Sequence, residues 1–593
     1  MSSRSASVTS WVLFVLGTLA CLIVAYGAYT LAGYSWNQVV EYQSPYVRPF
    51  AGSADELTSS AAFVPSVLEQ KSPASGPALS PRVVLVIVDG MRDDVSRTAM
   101  PSLQTLRNYG SDFVLTVPQP SLSYPNWTTI LTGAPQTISG VTTNWYEGKV
   151  TPLTIMDSAS KAGRRVAVAG PEDFAELYGV RDGPTVSLRP WPKGRYLTSR
   201  LVDDALRISK ESTPALLVLH LPDLDEAGHA HGGASAEYRD VARKIDADIG
   251  RLVSGLQGDS TTFVITADHG HTDTGGHGGW EDEAVRVPAI ITGNAATLSS
   301  GTGTLEQIAP TIAVLVGVPV PASATGTALR SALKTSSPGV FAAQAEHHRR
   351  SAAWQVEVVT GGNLPGAIWL RDVVRSGDVD AAAEKVVAER LAVERGQRVP
   401  VSLAILGAAL ALVVALGVAS WRALICAGAG TVTYYVLYNG LFFLTHGYLW
   451  SLSAFNTETR VQAFMNGRMI EAVLSALIAV LVAGGVYPLL RRMPRASSEH
   501  RYLSGWLAMA PATVLLIQAT LAVQVAWYLW WWGAEISWIL PDFKWAFKAD
   551  LDMLQMTALG AAALIAPLVT YTVGRYHPKV YGRRATGVTG RRS

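Results

Sequence analysis

The 593-residue chain contains few cysteines and few charged residues. Its two cysteines, Cys21 and Cys426, both lie in apolar runs, so they provide neither a disulfide framework nor a cysteine-rich metal site. Asp, Glu, Lys and Arg together make up only 16% of the chain, whereas hydrophobic residues make up 49%. This balance is unusual for a soluble protein and predicts membrane spans. The net charge of +2 gives no indication of a nucleic-acid partner.

Uncharged apolar runs predict six membrane spans. Residues 11–33 are long enough to cross a hydrocarbon core of about 30 Å. A cleaved signal peptide is the alternative, but its apolar region usually has only about 7 to 15 residues, which favours an uncleaved anchor. Five more apolar segments follow Pro400, at about 401–420, 423–445, 470–490, 503–532 and 552–574.

Basic residues near the later spans predict the orientation of the chain. Four lie between the fourth and fifth spans, and six follow the last span: Arg491, Arg492, Arg495 and Arg501, then Arg575, Lys579, Arg583, Arg584, Arg591 and Arg592. Cytoplasmic connections are enriched in Lys and Arg, so both regions are predicted to be cytoplasmic. With six spans, the N-terminus is also cytoplasmic and residues 34–400 lie outside. The aromatic run 527–532 then lies near the outer interface, where Trp and Tyr are enriched.

Short β-branched runs alternate with helical stretches from residue 82 to about residue 333. Continuous apolar runs suit strands that are covered on both faces. They predict buried parallel strands at 82–88, 164–170, 215–221, 261–267 and 287–293. The layout predicts an α/β fold with a mostly parallel sheet and helices on both faces. In such sheets, ligands bind at the carboxyl ends of the strands.

Metal-binding residue types follow the first and third predicted strands. Asp89 and Gly90 come directly after the first strand, although an Asp there alone would equally cap a helix. The third strand continues into "DEAGHAHG", in which Asp225 and His229 are four residues apart and can reach one ion from a helical turn. The same stretch offers three additional candidates, His220, Asp223 and His231.

The fourth strand continues into "ADHGHTDTGGHGG", residues 267–279, which places Asp268, His269 and His277 on a glycine-rich backbone. A flexible surface loop is the alternative for this motif alone. It does not explain why three strands end in the same residue types, as a shared metal site requires. Ser123, in "PSLSYPNWTTILTG", would be favoured as a helix N-cap in any protein. Beside two metal ions, the same position suits a nucleophile.

These residues, in this order, resemble the alkaline phosphatase superfamily. "SLSYPNWTTILTG" looks like the nucleophile motif of the type I phosphodiesterase/nucleotide pyrophosphatases, with Ser123 in place of the usual Thr. "DHGHTDTGGHGG" and "DEAGHAHG" look more like the GPI ethanolamine phosphate transferases, which also share the layout of one N-terminal span, an external domain and a multi-span region. The motif resemblance covers about residues 82 to 295 and implies an alkaline-phosphatase-like sheet.

The resemblance implies a set of site residues, transferred by motif position. One metal ion would bind Asp89, Asp268, His269 and the Ser123 oxygen, and the other would bind Asp225, His229 and His277. Asn126 matches the residue that helps to hold a phosphoryl oxygen in the phosphodiesterase branch. The chain departs from that branch at His271, where Met often follows "DHG", and we interpret this histidine as facing solvent.

Charge balance agrees with two divalent ions. The three carboxylates Asp89, Asp225 and Asp268 carry −3, an ionised Ser123 makes −4, and two divalent ions supply +4. Such a site can still attract a phosphate ester and stabilise charge in the transition state. Three neutral histidines with carboxylates suit Zn²⁺, and Mn²⁺ is the alternative.

We therefore predict a membrane-bound dimetal phosphodiesterase or phosphatase that hydrolyses a phosphate ester outside the cytoplasm through a covalent phosphoseryl intermediate. The alternative is a transferase that moves a lipid head group, such as phosphoethanolamine, with the later spans delivering a membrane lipid. Glu471, near the predicted outer end of the fourth span, faces either this route or solvent. A transporter or receptor with a binding-only external domain is a third interpretation, which a nucleophile disfavours. Sulfatase activity is disfavoured because Tyr-Pro-Asn follows Ser123, with no Arg at the required place.

The predicted organisation has both termini in the cytoplasm and the catalytic domain outside. In chain order, the segments are a cytoplasmic N-terminus (1–10), an anchor (11–33), a linker (34–80), a metal-dependent catalytic domain (81–335), a connecting region (336–399), a five-span region (400–576) and a basic cytoplasmic tail (577–593).

Overall fold

The computed structural model describes residues 2–46, 76–191, 194–256, 258, 260–335, 337–360, 379–454, 458–491 and 499–582. Most of the predicted linker 34–80 lies outside the described residues. So do six of the basic residues that predict the orientation, namely Arg492, Arg495, Arg583, Arg584, Arg591 and Arg592.

Eight strands form one sheet: β1 (Arg82–Val88), β2 (Gly110–Thr116), β3 (Val166–Pro171), β4 (Val186–Arg189), β5 (Leu216–Leu221), β6 (Thr261–Thr266), β7 (Arg286–Gly293) and β8 (Ser300–Thr304). The described helices, before, between and after the strands, are α1 (Ser2–Val40), α2 (Asp93–Thr98), α3 (Pro101–Asn108), α4 (Ser123–Thr132), α5 (Gln136–Ser139), α6 (Ile155–Lys161), α7 (Asp173–Tyr178), α8 (Thr198–Ser212), α9 (Asp223–His231), α10 (Ala236–Leu256), α11 (Asp282–Val285), α12 (Ile308–Val316), α13 (Pro338–Thr360), α14 (Val379–Asn439), α15 (Glu458–Arg491), α16 (Glu499–Trp531) and α17 (Phe543–Gly582). A π-helical turn (Gly440–Thr445) and short 3₁₀ turns (Leu305–Gln307, Arg330–Ala332 and Leu452–Ala454) complete the described helical structure.

The strand order is β4-β3-β5-β1-β6-β7-β2-β8, and the sheet is mostly parallel, as the sequence predicts. The predicted parallel direction of residues 287–293 is wrong, because β7 runs antiparallel to both β6 and β2. No crossover helix returns the chain between β6 and β7, and the connection contains the glycine-rich loop instead. Strands β2, β4 and β8 were not predicted, since polar residues and glycines interrupt their apolar pattern.

Three adjacent strands form the buried centre of the sheet. Strands β5 and β6 are buried along their whole length, and so is β1 after Arg82. Because β1 lies between β5 and β6 and runs parallel to both, the carboxyl ends of the three strands lie side by side. The residues that follow these strands in sequence therefore meet at one edge of the sheet.

The described part of the chain contains five helices long and apolar enough to cross a membrane, within Phe14–Val40, Asp380–Thr445, Val461–Tyr487, Met509–Trp531 and Phe543–Thr570. The predicted segments 401–420 and 423–445 both lie in the second of these. The backbone leaves helical geometry at Ser420, where φ is −168° and ψ is 103°.

The chain reverses direction at Ser420. Ser402 donates a hydrogen bond from Oγ to the Ala526 carbonyl oxygen, whereas Tyr435 bonds Thr520 through their hydroxyl groups. These partners are six residues apart in α16, a rise of about 9 Å, but a straight helix would separate Ser402 from Tyr435 by about 50 Å. Helix α14 therefore contains two antiparallel arms.

Candidate active site

Three carboxylates meet at the carboxyl ends of the central strands. Asp89 follows β1, Asp268 follows β6 by one residue, and Asp225 lies in the first turn of α9, just after β5. All three side chains are buried, and Asp89 and Asp268 have no exposed surface. The shared edge of β5, β1 and β6 explains why residues more than 170 positions apart in the sequence converge.

The first cluster is centred on His269 Nε2. This atom lies 3.4 Å from Asp89 Oδ1, 3.4 Å from Asp268 Oδ2 and 3.1 Å from Ser123 Oγ. The two carboxylate oxygens are buried and have no hydrogen-bond partner among the described residues. Unpartnered buried oxygens carry a large desolvation penalty, so their convergence fits a bound cation.

Surrounding groups hold the other atom of each candidate ligand. His220 Nε2 donates to Asp89 Oδ2 (2.9 Å), and the backbone N–H groups of Gly90 and His269 donate to Asp268 Oδ1 (3.1 and 3.0 Å). His269 Nδ1 donates to the Gly270 carbonyl oxygen at 3.1 Å. Each side chain therefore has one atom left that faces the cluster. In protein metal sites, hydrogen bonds to the other atom of a ligand orient it in the same way.

The second cluster is centred on Asp225 Oδ1. His271 Nε2 lies 2.9 Å away, His229 Nε2 3.4 Å away and His277 Nε2 3.6 Å away. His229 and His277 approach each other to 3.2 Å between their Nε2 atoms. His277 Nδ1 donates to the Ser121 carbonyl oxygen at 2.9 Å, which orients its Nε2 toward the cluster.

The interpretation of His271 as a solvent-facing residue is wrong. Its side chain has no exposed surface and lies within the second cluster. Gly228 provides the space, because a Cβ atom there would lie 2.4 Å from His271 Cδ2. The signal in the sequence was the glycine immediately before His229, which left room for another ring.

The predicted nucleophile and the predicted phosphoryl contact share one helix. Ser123 is the first residue of α4 and Asn126 lies one turn later, both buried. Asn126 Oδ1 accepts a hydrogen bond from Gln136 Nε2 at 2.8 Å, whereas its Nδ2 has no partner among the described residues. The amide is therefore fixed with one donor unused.

The additional candidates take different places. His220 supports Asp89 and packs edge-on against Trp127, with ring centroids 4.6 Å apart. Asp223 accepts hydrogen bonds from the backbone N–H groups of Leu197 and Thr198 at the start of α8, which is a structural role. His231 is exposed at the end of α9.

Burial and neighbouring charge set the protonation of the clusters. Burial, with the charge of Asp225, raises the pKa of Asp268 to about 7. Burial lowers the pKa of His269 to about 3 and that of His271 to about 4. Burial alone would raise the pKa of Asp225. The neighbouring His229 and His271 outweigh this effect and hold the pKa of the carboxyl group well below its usual range. His269 and His271 are therefore neutral at neutral pH, the form that binds metals.

Cations fit this charge distribution. Among the described residues, the ion-pair partners of Asp89, Asp225 and Asp268 are all histidines, with no Lys or Arg. In the part of the chain that the structure describes, three residue groups are close enough to hold an ion: Asp89–Asp268–His269, Asp225–His229–His271 and Asp225–His269–His277. Buried anions without cationic partners are unfavourable, and divalent ions would remove that cost.

The glycine-rich loop contacts the membrane region. The Gly279 N–H group donates to Ser453 Oγ at 3.0 Å, and Ser453 Oγ donates to Glu281 Oε2 at 2.8 Å. Trp280 Nε1 donates to the Trp450 carbonyl oxygen at 2.9 Å. The segment that bears His277 is thus packed against residues 450–453, a contact that no sequence pattern indicated.

Comparison with known proteins agrees with these motifs. Residues 83–311 match the family model for type I phosphodiesterase / nucleotide pyrophosphatase. The chain is 25% identical over 277 residues to human GPI ethanolamine phosphate transferase 2, catalytic subunit, covering 43% of this chain and 28% of that relative. It is 27% identical over 271 residues to GPI ethanolamine phosphate transferase 1 of Aspergillus oryzae, covering 38% and 26%. The sheet domain is therefore similar in sequence to the type I phosphodiesterase / nucleotide pyrophosphatases and to the GPI ethanolamine phosphate transferases.

These matches confirm both resemblances drawn from the motifs. The match spans less than a third of either transferase, so it concerns the sheet domain and not the whole relatives. Among solved structures, murine ectonucleotide pyrophosphatase / phosphodiesterase 5 is 14% identical with a TM-score of 0.36, covering 40% of this chain and 96% of that one. Alkaline phosphatase PafA is 12% identical with a TM-score of 0.37, covering 43% and 99%.

Gly228→Ala tests the packing of the second cluster in the sheet domain. Alanine suits a helix, but its Cβ would overlap the His271 ring, which Asp225 holds in place. We expect metal affinity to fall by about 10- to 100-fold, measured by chelator competition, because displaced metal-site residues cost affinity on that scale. Gly396→Ala in α14 is the matched control, because an added Cβ atom there would meet no atom within 4 Å apart from the nearby backbone of its own helix. Wild-type affinity in both variants would contradict this packing.

Proposed function

We propose that the chain is a membrane-bound, metal-dependent phosphodiesterase-type hydrolase that uses Ser123 as its nucleophile. One observation carries the proposal. Ser123 Oγ and the unpartnered oxygens of Asp89 and Asp268 surround His269 Nε2 at the start of a helix. A hydroxyl group in that position can be activated without a neighbouring general base, because the helix N-terminus and a cation both favour its anion.

The residues present fit two divalent ions. Asp89, Asp268, His269 and Ser123 would hold one ion, and Asp225, His229, His277 and His271 would hold the other. Bound ions would act as Lewis acids that stabilise charge on the attacking and leaving oxygens. Nitrogen-rich donor sets favour Zn²⁺, with Mn²⁺ as the alternative.

Ser123 and Asn126 have different roles in the proposed reaction. Ser123 Oγ, as the alkoxide, attacks phosphorus in line, and the bond from phosphorus to the leaving oxygen breaks. Asn126 Nδ2, the unused buried donor, would hold a phosphoryl oxygen during this step. Water then attacks the phosphoseryl group and the Oγ–P bond breaks. Ser123, on forming the alkoxide, and the attacking water each release a proton to solvent, and the leaving alcohol and the freed Ser123 oxygen each take one up.

Trapping the Ser123 adduct tests this function. Rapid acid quench of the full chain with a small phosphodiester, followed by peptide mass spectrometry, should find the phosphoryl group on the peptide that contains Ser123. The same experiment on native membranes would identify the natural donor from the attached mass. An adduct on another residue, or turnover with no adduct during a burst, would contradict the proposal.

Transfer to an acceptor alcohol is the second candidate function. Two observations favour it: the metal loop packs against residues 450–453 of the membrane region, and the similar relatives are named GPI ethanolamine phosphate transferases. A site next to the membrane suits a lipid-linked donor or acceptor. If the adduct forms transfer product in preference to hydrolysis when an acceptor alcohol is added, the transferase is favoured. If water alone receives it, hydrolysis is favoured.

His271→Ala tests whether this histidine is a ligand of the second ion. We expect at least about tenfold weaker binding at one of two sites, because His271 approaches Asp225 more closely than His229 or His277 does. Equilibrium dialysis with zinc would measure it. His231→Ala, which removes an exposed histidine from the same region, should bind both ions normally. Unchanged stoichiometry and affinity in His271→Ala would remove this histidine from the ligand set.

The proposed topology has six spans, with residues 81–335 outside as the catalytic domain and 336–399 as the connecting region. The reversal at Ser420 supports it, because it gives α14 two arms that each accompany α16. Both termini, including the segments 1–10 and 577–593, are then cytoplasmic. Protease protection of tags at each end in sealed vesicles would test this arrangement.

A further inference from the structure

A buried arginine lies in the membrane region, outside the metal clusters. Arg468 is in α15, within the candidate span Val461–Tyr487, and only 4% of its surface is exposed. A charged residue in a span is costly to bury and usually faces a ligand path or a protein partner. We propose that Arg468, Glu471 and His446 bind the head group of a zwitterionic phospholipid that carries an amine, as phosphatidylethanolamine does.

The contacts of Arg468 leave part of the guanidinium group unused. Nη2 donates to Glu471 Oε1 at 2.7 Å and lies 3.0 Å from His446 Nε2, which itself lies 2.8 Å from Glu471 Oε1. Nε and Nη1 are buried without a hydrogen-bond partner among the described residues, and so is Glu471 Oε2. An ordinary ion pair between neighbours on one helix lies at a water-exposed surface, where water hydrates the atoms that the pair does not use. It therefore does not explain why these three atoms are buried without a partner.

The unused atoms match a zwitterion. Two N–H groups of a guanidinium form a fork that suits two phosphate oxygens, and a carboxylate oxygen accepts a hydrogen bond from an ammonium group. Arg468 and Glu471 together carry no net charge. Free phosphate would meet the Glu471 carboxylate unfavourably, and an anionic lipid would bring no ammonium group for it.

The surroundings suit a lipid. The His446 and Glu471 side chains are partly exposed, which gives access to the buried arginine. Ile470 is 60% exposed, and Leu474 and Ile478 follow it at four-residue intervals on the same helix, so an apolar stripe for acyl chains starts beside the charges.

The cluster is also joined to the metal loop. The guanidinium carbon lies 5.2 Å from the centre of the Tyr448 ring, two residues before Trp450. Trp450 accepts the hydrogen bond from Trp280, so one short segment contacts both the cluster and the loop that bears His277. The lipid site would thus support delivery of a donor under the proposed function, although lipid binding itself does not require catalysis.

The test uses the full chain with Ser123→Ala, so that a bound lipid is not consumed. Fluorescent phosphatidylethanolamine is the probe, in detergent, and glycerophosphoethanolamine and inorganic phosphate are the competitors. We expect Arg468→Gln to weaken probe binding at least tenfold, while turnover of a small diester by Arg468→Gln with Ser123 intact stays normal. Arg422→Gln is the matched control, because this exposed arginine lies next to the Ser420 reversal.

Glu471→Gln provides a second variant that does not remove the buried cation. It should reduce the preference for phosphatidylethanolamine over phosphatidylglycerol, since the acceptor for the amine is lost. Equal probe affinity in wild type, Arg468→Gln and Arg422→Gln would overturn the proposal. Competition by inorganic phosphate as strong as that by glycerophosphoethanolamine would also overturn it. Loss of lipid binding with a normal Ser123 adduct would leave the proposed chemistry intact.

Discussion

Ser123→Ala is expected to reduce turnover of a small phosphodiester by about 10³-fold or more. Loss of a nucleophile removes the covalent route, and only slow direct attack by water remains. The change should disturb little else. The Oγ atom bonds only His269 Nε2 among the described residues, and the cluster would keep the two carboxylates and the imidazole. Steady-state kinetics and metal analysis of the same sample would show low kcat with normal metal content.

Two controls separate chemistry from packing in this experiment. Ser123→Thr keeps a hydroxyl group at the helix start and should retain turnover within about tenfold. Ser158→Ala removes a buried serine from α6 in the same domain and should be kinetically silent. Near-normal turnover in Ser123→Ala, with metal content unchanged, would mean that water attacks phosphorus directly and that the covalent step is wrong.

The sequence allowed the central sheet to be predicted because each strand there is a continuous apolar run. The runs that became β1, β5 and β6 are buried on both faces, and each is followed by polar residues. Order within the sheet was not predictable from these runs. The position of β1 between β5 and β6 is set by long-range pairing, and this pairing is what brings Asp89, Asp225 and Asp268 together.

The features that the sequence did not predict share a physical cause. They depend on packing between distant parts of the chain and not on a local sequence pattern. His271 looks like any polar loop residue until Gly228 is seen to leave room for its ring. The reversed direction of β7 follows from the path of the glycine-rich loop. Ser453 and Trp450, which contact that loop, lie more than 160 residues from it in sequence. No local periodicity marks such contacts.

The structure joins the chemistry to the membrane through one loop. Ser121 contacts three residues of this loop: its carbonyl oxygen accepts from His277 Nδ1, and its hydroxyl group accepts from the Gly278 N–H group and donates to the Gly279 carbonyl oxygen. Ser121 is two residues before the nucleophile, and Gly279 also contacts Ser453. The position of the membrane segment therefore bears directly on the geometry of both clusters.

Removal of metal is expected to lower the melting temperature of the sheet domain by about 10 °C. An ion present at about 1,000 times its Kd stabilises the folded state by about 4 kcal/mol, and each kcal/mol shifts the melting temperature of a domain of this size by about 2 to 4 °C. The physical source is the group of buried carboxylates, whose ion-pair partners among the described residues are neutral histidines. Differential scanning fluorimetry with and without chelator would measure the shift, and added Zn²⁺ should reverse it.

The double variant Asp89→Asn/Asp268→Asn distinguishes charge from general loosening. It removes two buried carboxyl groups that are costly to ionise without metal, since burial and the charges of Asp268 and Asp225 raise the pKa of Asp89, and burial with the charge of Asp225 raises that of Asp268 to about 7. The metal-free variant should therefore melt above the metal-free wild type, although the metal-loaded wild type should melt above the variant under the same conditions. If chelation shifts both proteins equally, or if the metal-free variant is the less stable of the two, these carboxylates are not held in place by cations.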